Sequence, residues 1–143
     1  GIENPFGHIW SWTDGCKCAI ESDADGGVSS FYTCDNPANY QDTNYDNYVK
    51  RGELPRKEGY VKRMMIGEYG ENMPTEVGAG STTYFADYFY TNIPASGVAQ
   101  RGVLFGGTAD NGANAGLSYA YTSYAATSTG ASVGSRLCFI PAA

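Results

Sequence analysis

The chain has 143 residues, of which 42% are hydrophobic and 17% charged, a composition typical of one globular domain. Its net charge of −6 disfavours a general nucleic-acid binder, and no apolar run approaches the ~20 residues of a membrane-spanning helix. Twelve tyrosines and nineteen glycines favour strands and turns over a helical bundle. We therefore expect a single domain over residues 1–143, which the abrupt start at Gly1 suggests is the C-terminal part of a longer protein.

The cysteines and the single histidine restrict the chemistry that the chain can support. The cysteines are Cys16, Cys18, Cys34 and Cys138, and the histidine is His8. A zinc site usually needs a wider Cys spacing and further Cys or His ligands, so the sequence supports zinc only weakly. Buried free thiols are the favoured interpretation. The alternative is a disulfide from Cys16 or Cys18 to Cys34 or Cys138.

The N-terminal third is rich in strand signals. Residues 8–13 alternate well, residues 13–15 (Thr-Asp-Gly) are typical of a turn, and residues 16–20 predict the returning strand of a hairpin. Residues 29–34 predict another short strand. Residues 35–48 are polar and aromatic with an Asn-Pro breaker, so we expect a long loop or a short helical turn there.

The rest of the chain mixes Gly and Pro with short apolar runs. Residues 61–66 suggest one or two turns of helix, and residues 84–90 alternate as a strand does. Residues 102–105 and 136–140 suit buried strands. Together these elements indicate an α+β or mostly β domain with long functional loops.

Residues 106–135 form the most unusual segment. It contains no basic residue and one acidic residue, Asp110. An unstructured loop of this length is uncommon inside a compact domain, so we expect strands, a function, or both. Within it, residues 119–132 (YAYTSYAATSTGAS) use only Tyr, Ala, Thr, Ser and Gly.

Two motifs carry a broad family resemblance. RGVLFGGTADNGANAGLSY (101–119) and VGSRLCF (133–139) resemble the C-terminal half of C-type-lectin-fold domains of the formylglycine-generating-enzyme type. Gly102 departs from that pattern, because it stands between the matching Arg and Val. The resemblance implies an α+β fold, the C-type lectin fold, with mostly short antiparallel strands, long loops and one or two short helices.

A narrower resemblance covers nearly the whole chain. Four segments in the same order are similar to the variable proteins of diversity-generating retroelements from gut bacteria and phages: GIENPFGHIWSWTDG, LPRKEGYVK, STTYFADYFYTN and GGTADNGANAGLSY. In that family a reverse transcriptase randomises adenines, typically in Asn codons. The products include Tyr, Ser, Thr, Ala, Asp and Gly but exclude Lys, Glu, Gln, Met and Trp. Residues 106–135 contain none of those five.

The resemblance implies a hypervariable region at about 106–135 and assigns roles within and beside it. The expected variable, ligand-binding residues are Thr108, Ala109, Asp110, Asn111, Ser118, Ala120, Thr122, Ser123, Tyr124, Ala126, Thr127, Thr129 and Ala131. The expected scaffold residues are Arg101, Gly106, Gly107, Gly112, Asn114, Gly116, Tyr119, Gly134 and Arg136. We expect both arginines to support loops rather than to bind ligand.

Aromatic residues are the candidate anchors of such a surface, because Tyr supplies large amphipathic contact area at low entropic cost. Tyr124 is the first candidate and Tyr121 the second, and the alternative for each is a half-buried ring that packs on the scaffold. For Trp10 and Trp12, core packing is favoured over carbohydrate stacking.

These observations predict a ligand- or receptor-binding domain of a phage tail protein or a bacterial surface adhesin. The expected partner is a host or bacterial cell-surface protein or glycan. We expect no nucleic acid, membrane insertion, metal or cofactor, and a homotrimer if the domain belongs to a fibre. An enzyme is disfavoured, since no nucleophile–base–orienter set occurs. The alternatives are a calcium-dependent carbohydrate-binding lectin and a structural fimbrial or tail subunit without diversification.

Overall fold

The computed structural model describes residues 7–68 and 70–135. These residues form nine strands: β1 (Trp10–Glu21), β2 (Ser29–Thr33), β3 (Val49–Glu53), β4 (Gly59–Ile66), β5 (Asn72–Val77), β6 (Tyr88–Thr91), β7 (Val98–Phe105), β8 (Ala120–Thr122) and β9 (Val133–Gly134). Three short 3-10 helices cover Asp23–Asp25, Pro37–Asn39 and Ala109–Asn114.

Eight of the strands make a nearly closed mixed barrel. Their order is β3-β2-β1-β7-β8-β6-β4-β5, and β9 pairs with β1. The β6–β8 and β1–β9 pairs are parallel, and the remaining pairs are antiparallel. The barrel places β8, from the middle of the predicted hypervariable region, between β7 and β6.

The α+β prediction, together with the C-type lectin fold that accompanied it, is wrong. The described residues are mostly β-sheet with almost no helix, and they have only 3-10 turns in place of the expected helices. Residues 61–66, expected as helix, belong to β4. That strand pairs with β5 along its length and with β6 at its start. A short apolar run fits a helix or a strand equally well, and here the pairing partners make it a strand.

The predicted hairpin at residues 8–20 is also wrong, because β1 runs straight through the expected turn. Gly15 adopts a φ of 71°, and the pairing of β1 with β7 shifts register between Trp12 and Lys17. A β-bulge therefore occupies the Thr-Asp-Gly sequence. The chain continues as one strand because β2 and β7 pair with it on both sides.

Other predicted strands fare better. β2 confirms the strand expected at 29–34, β7 contains residues 102–105, and residues 35–48 form a loop with one 3-10 turn. The strand expected at 84–90 begins only at Tyr88, since Tyr84 and Ala86 have φ values of 56° and 55°. The strand expected at 136–140 lies outside the described residues.

Two apolar clusters lie on opposite faces of the β6–β8–β7 sheet. The interior cluster includes Phe89, Val103 and Ala120, and it joins side chains from strands around the barrel. Their immediate neighbours along the strands, Leu104 and Tyr121, belong to a second cluster outside the barrel. This separation follows from the alternation of side chains along a strand.

Side chains close the barrel where backbone pairing stops. Arg51 of β3 places Nε 2.8 Å from Oε1 of Glu71, which precedes β5. Gly52 approaches β4 so closely that a Cβ atom there would lie 2.7 Å from Sδ of Met65. The ion pair thus joins the two ends of the sheet, and the packed thioether holds β3 against β4.

Candidate functional site

An aromatic cluster covers the outer face of β6, β7 and β8. Trp10 lies at its centre, with its ring centroid 4.6 Å from that of Tyr119 and 5.0 Å from that of Tyr121. Tyr90 stacks on Tyr121 at 4.7 Å, and Tyr124 meets Tyr121 edge-on at 5.1 Å. Aromatic pairs in these geometries stabilise more than their buried area alone. The cluster is a firm base for the segments on either side of β8.

The segment after β8, residues 123–132, is named here the outer loop, and backbone hydrogen bonds hold its ends. Gly102 N donates to Tyr124 O at 2.9 Å, and Trp10 N donates to Ser132 O at 2.8 Å. Between these anchors, Ser128 N donates to Ala125 O at 2.9 Å. The exposed residues of the loop are Tyr124, Ala126, Thr127, Thr129, Gly130, Ala131 and Ser132.

The segment before β8, residues 108–114, is named here the capped turn, and side chains hold it. Thr108 N donates to Oδ1 of Asn111 at 2.7 Å, the hydroxyl of Thr108 donates to the Asp110 carboxylate, and Asn111 N donates to Thr108 O at 3.0 Å. At its other end, Asn114 Oδ1 accepts from the hydroxyl of Tyr60 at 2.7 Å. Its polar side chains are therefore already engaged within the fold.

The predicted variable residues divide by exposure. The exposed ones are Ala109, Asp110, Tyr124, Ala126, Thr127, Thr129 and Ala131, and the half-buried ones are Asn111, Ser118 and Ser123. Thr108, Ala120 and Thr122 are buried, and we leave these three out of the surface proposed below. Ala120 and Thr122 face the interior because they pair in register with Phe89 and Thr91 of β6.

Several predicted scaffold residues do hold the backbone in place. Gly107 has a φ of 80°, and a Cβ atom there would lie 3.0 Å from the Tyr119 ring. A Cβ atom at Gly116 would lie 2.5 Å from Oδ1 of Asp87. Gly106 precedes Gly107 at the end of β7, Gly112 and Asn114 lie in the capped turn, Tyr119 is buried, and Gly134 lies in β9. Arg136 lies outside the described residues.

A cleft of 360 Å³ opens beside the outer loop. Its aromatic lining residues are Trp12, Tyr40 and Tyr48, and Ala126 contributes the outer loop's side. A smaller cavity of 130 Å³ adjoins it; the two share Lys17, Asp42 and Ala126, and the cavity is also lined by Gln100, Arg101 and Thr127. The outer loop is thus one wall of a continuous depression.

Lys17 fixes the opposite wall of this depression. Its Nζ donates to Gln41 O at 2.7 Å and to Asn44 O at 2.6 Å, and it lies 4.7 Å and 4.9 Å from the ring centroids of Tyr45 and Tyr48. Burial lowers the pKa of Lys17. Sequence reasoning missed this wall, although a lysine among apolar strand residues and the tyrosine-rich run after residue 39 were both visible.

The three described cysteines are free thiols. Cys16, Cys18 and Cys34 are not bonded to one another. Burial raises the pKa of Cys16 to about 11 and also raises the pKa of Cys18, so both are protonated at neutral pH. Cys138 lies outside the described residues, and within those residues no group of three or more His, Cys, Asp or Glu side chains is placed to hold a metal ion.

Comparison with family models, with curated proteins and with solved structures finds no match. Among the residues that the structure describes, no helix is long and apolar enough to span a membrane. The interpretation of the site therefore depends on its geometry and on the residues that form it.

Proposed function

We propose that this chain is a ligand-binding domain that uses the outer loop as a diversified recognition surface. The observation that carries the proposal is that the loop's backbone is anchored at Tyr124 and Ser132 while most of its residues are exposed. Main-chain anchors do not depend on side-chain identity. The loop can therefore change its sequence without losing its position on the barrel.

The expected cost of substitution differs between the exposed positions of the outer loop and the buried positions of β8. Substitutions at exposed positions away from caps and core usually change the free energy of unfolding by less than about 0.5 kcal/mol. Ala126, Thr127, Thr129 and Ala131 are exposed. By contrast, the interior beneath the loop is fixed by Ala120 and Thr122, whose exposed fractions are 1% and 0%. Within the outer loop, the diversity expected from adenine randomisation would thus fall at positions that the fold tolerates, whereas the buried Ala120 and Thr122 would not tolerate it.

Tyr124 is the best candidate anchor within this surface. It is 39% exposed, while its ring contacts Tyr121 and its carbonyl accepts from Gly102 N. A tyrosine that is held on one side and open on the other offers contact area with little loss of entropy on binding. Tyr121 instead packs among Trp10, Tyr90 and Tyr124, which suits a supporting role.

The proposed setting is a phage tail receptor-binding protein or a bacterial surface adhesin, with a receptor on a cell surface as the partner. This setting comes from the family resemblance of the sequence. The calcium-dependent lectin and the structural subunit stay predictions, and so does the absence of enzymatic activity.

The binding role is tested with fluorescently labelled protein and a panel of intact gut bacterial isolates. For an isolate that the protein labels, Tyr124→Ala and Thr127→Trp should each reduce labelling at least about ten-fold, the loss expected when one buried anchor contact is removed. Tyr84→Ala is the matched control, because Tyr84 is another exposed tyrosine, outside the outer loop. Equal loss in the control, or none in either loop variant, would contradict the proposal.

The diversification is tested in the DNA around the coding region. A second copy of the segment that encodes residues 106–135, differing from it only at adenines and lying beside a reverse-transcriptase gene, is the expected finding. A genome that carries neither the copy nor the reverse transcriptase would refute diversification while leaving the binding role open to the cell-labelling assay.

A further inference from the structure

The cleft beside the outer loop has the size and shape of a small-ligand site. Its volume of 360 Å³ falls within the range of about 300–1,000 Å³ that is usual for such sites. Its wall is rigid in the unbound protein, since Lys17 bonds two carbonyls of the 40–48 loop. A preformed wall lowers the entropic cost of binding.

Aromatic side chains give the cleft flat apolar surface. Trp12 and Tyr48 are half-buried, and Tyr40 is 38% exposed. Trp12 lies across β7 at Gly102, where a Cβ atom would be only 2.5 Å from Cζ3 of the indole. Gly102 therefore makes room for the indole at the cleft.

Two residues that line the adjoining cavity carry buried polar atoms without hydrogen-bond partners among the described residues. Nε of Arg101 and Oε1 of Gln100 are buried, and neither has a hydrogen-bond partner within the described part of the chain. Both residues line the 130 Å³ cavity, as does Asp42. Unpartnered buried groups of this kind are normally satisfied by water or by a ligand. Nε can only donate, and Oε1 can only accept.

A hydroxyl group satisfies both requirements at once, because it accepts one hydrogen bond and donates another. A carboxylate could accept from Arg101, but it has no hydrogen to donate to Gln100 and would be repelled by the Asp42 carboxylate. An ammonium could donate to Gln100 and Asp42, but it cannot accept from Arg101. Aromatic surface next to a hydroxyl-binding cavity matches a sugar, whose ring has an apolar C–H face and hydroxyls at its edge.

We propose that the cleft is a binding site for a neutral glycan residue, with its ring against Tyr40 and Trp12 and a hydroxyl in the cavity beside Gln100 and Arg101. This inference rests on the proposed function, because Ala126 and Thr127 of the outer loop line the same depression. The glycan would be a shared attachment point, and the exposed loop would select among the structures that carry it.

The test is a titration followed by amide NMR with neutral methyl glycosides and their trisaccharides as probes. The amides of Gly102 and Ala126, which line the cleft, should shift together in a saturable manner for at least one probe. Tyr40→Ala and Arg101→Met should each weaken that binding by about ten-fold, the equivalent of one lost contact. Tyr40→Phe, which keeps the ring, should bind like the wild type, and so should the exposed control Tyr84→Ala.

Three results of the titration would overturn the inference. They are the absence of shifts with every neutral glycoside, tighter binding of the acidic sugar glucuronate than of its neutral counterpart, and unchanged affinity in Arg101→Met and Tyr40→Ala. A protein receptor would appear as cell labelling that survives periodate oxidation of surface glycans but not protease treatment, which also overturns it. Each of these results is compatible with cell labelling that depends on Tyr124. The glycan site can therefore be refuted while the proposed binding role of the outer loop still holds.

Discussion

The capped turn and the outer loop flank the same strand, β8, yet they are stabilised in opposite ways. In the capped turn, the side chains of Thr108, Asp110 and Asn111 are engaged with one another and with the backbone. In the outer loop, the anchors at Tyr124 and Ser132 are backbone carbonyls. Both segments were expected to vary. The difference indicates that the outer loop can vary at less cost to the fold than the capped turn.

Both segments nevertheless depend on one residue, Trp10. Its ring contacts Tyr119, which lies between the capped turn and β8, and Tyr121, which lies in β8 shortly before the outer loop. Its backbone N also holds Ser132. The contrast between the two segments therefore exists only while this aromatic cluster is intact.

Replacing Trp10 should have the largest effect, because it removes the common support. Trp10 is 6% exposed, and truncation of a buried large aromatic side chain typically costs about 3–5 kcal/mol. We expect Trp10→Ala to lower the free energy of unfolding, measured by urea denaturation, by that amount. Trp12→Ala is the matched control, since Trp12 packs only at the margin of the cluster. An equal loss in both variants would contradict the central role of Trp10.

A pair of glycine substitutions should separate the two sides of β8. Gly107→Ala places a Cβ 3.0 Å from the Tyr119 ring at a φ of 80°, and we expect a loss of about 2 kcal/mol from left-handed strain and crowding. Gly130 has no atom within 4 Å of its added Cβ, so Gly130→Ala should change stability by less than about 0.5 kcal/mol. Similar losses in both variants, measured by urea denaturation, would abolish the distinction.

A pair of threonine substitutions should show the same contrast at smaller scale. Thr108 is buried and bonds within the capped turn, and loss of an N-cap side chain typically costs about 1 kcal/mol. Thr127 is exposed in the outer loop, and Thr127→Ala should cost less than about 0.5 kcal/mol. Thermal unfolding of Thr108→Ala and Thr127→Ala provides the measurement, and a larger loss at Thr127 would reverse the comparison.

The sequence predicted parts of the barrel and missed others for physical reasons. Strands β2 and β7 have local patterns that agree with their surroundings. β1 was mistaken for a hairpin because Thr13-Asp14-Gly15 is a turn signal that β2 and β7 convert into a bulge. The residues of β1 alone do not reveal which strands pair with it, since pairing joins segments that are distant along the chain.

The binding surface was predicted in part for a similar reason. The restricted alphabet marked residues 126–131, of which the structure exposes all but the half-buried Ser128. It also marked Ala120 and Thr122, which are buried because their face of β8 turns into the barrel, while the aromatic cluster covers the other face. The cleft was missed altogether, because its lining comes from regions as far apart as Trp12 and Ala126.

The smallest expected effect is a pH dependence confined to the capped turn. The hydrogen bond from the Thr108 hydroxyl lowers the pKa of Asp110 below its ordinary value. Because the folded-state pKa is depressed, this stabilisation is present above the unfolded-state pKa of about 3.9 and is lost as the pH falls through the folded-state pKa. Between pH 7 and pH 3, the free energy of unfolding, measured by urea denaturation, should therefore fall less in Asp110→Asn than in the wild type. Thr108→Val should show the same smaller fall, because it removes the hydrogen bond to the Asp110 carboxylate. Asp46→Asn, in a loop at the other side of the cleft, is the control and should show the same pH dependence as the wild type. If all three variants follow the wild-type pH profile, the capped turn is not held by the Asp110 carboxylate, and its contrast with the outer loop rests on Asn111 alone.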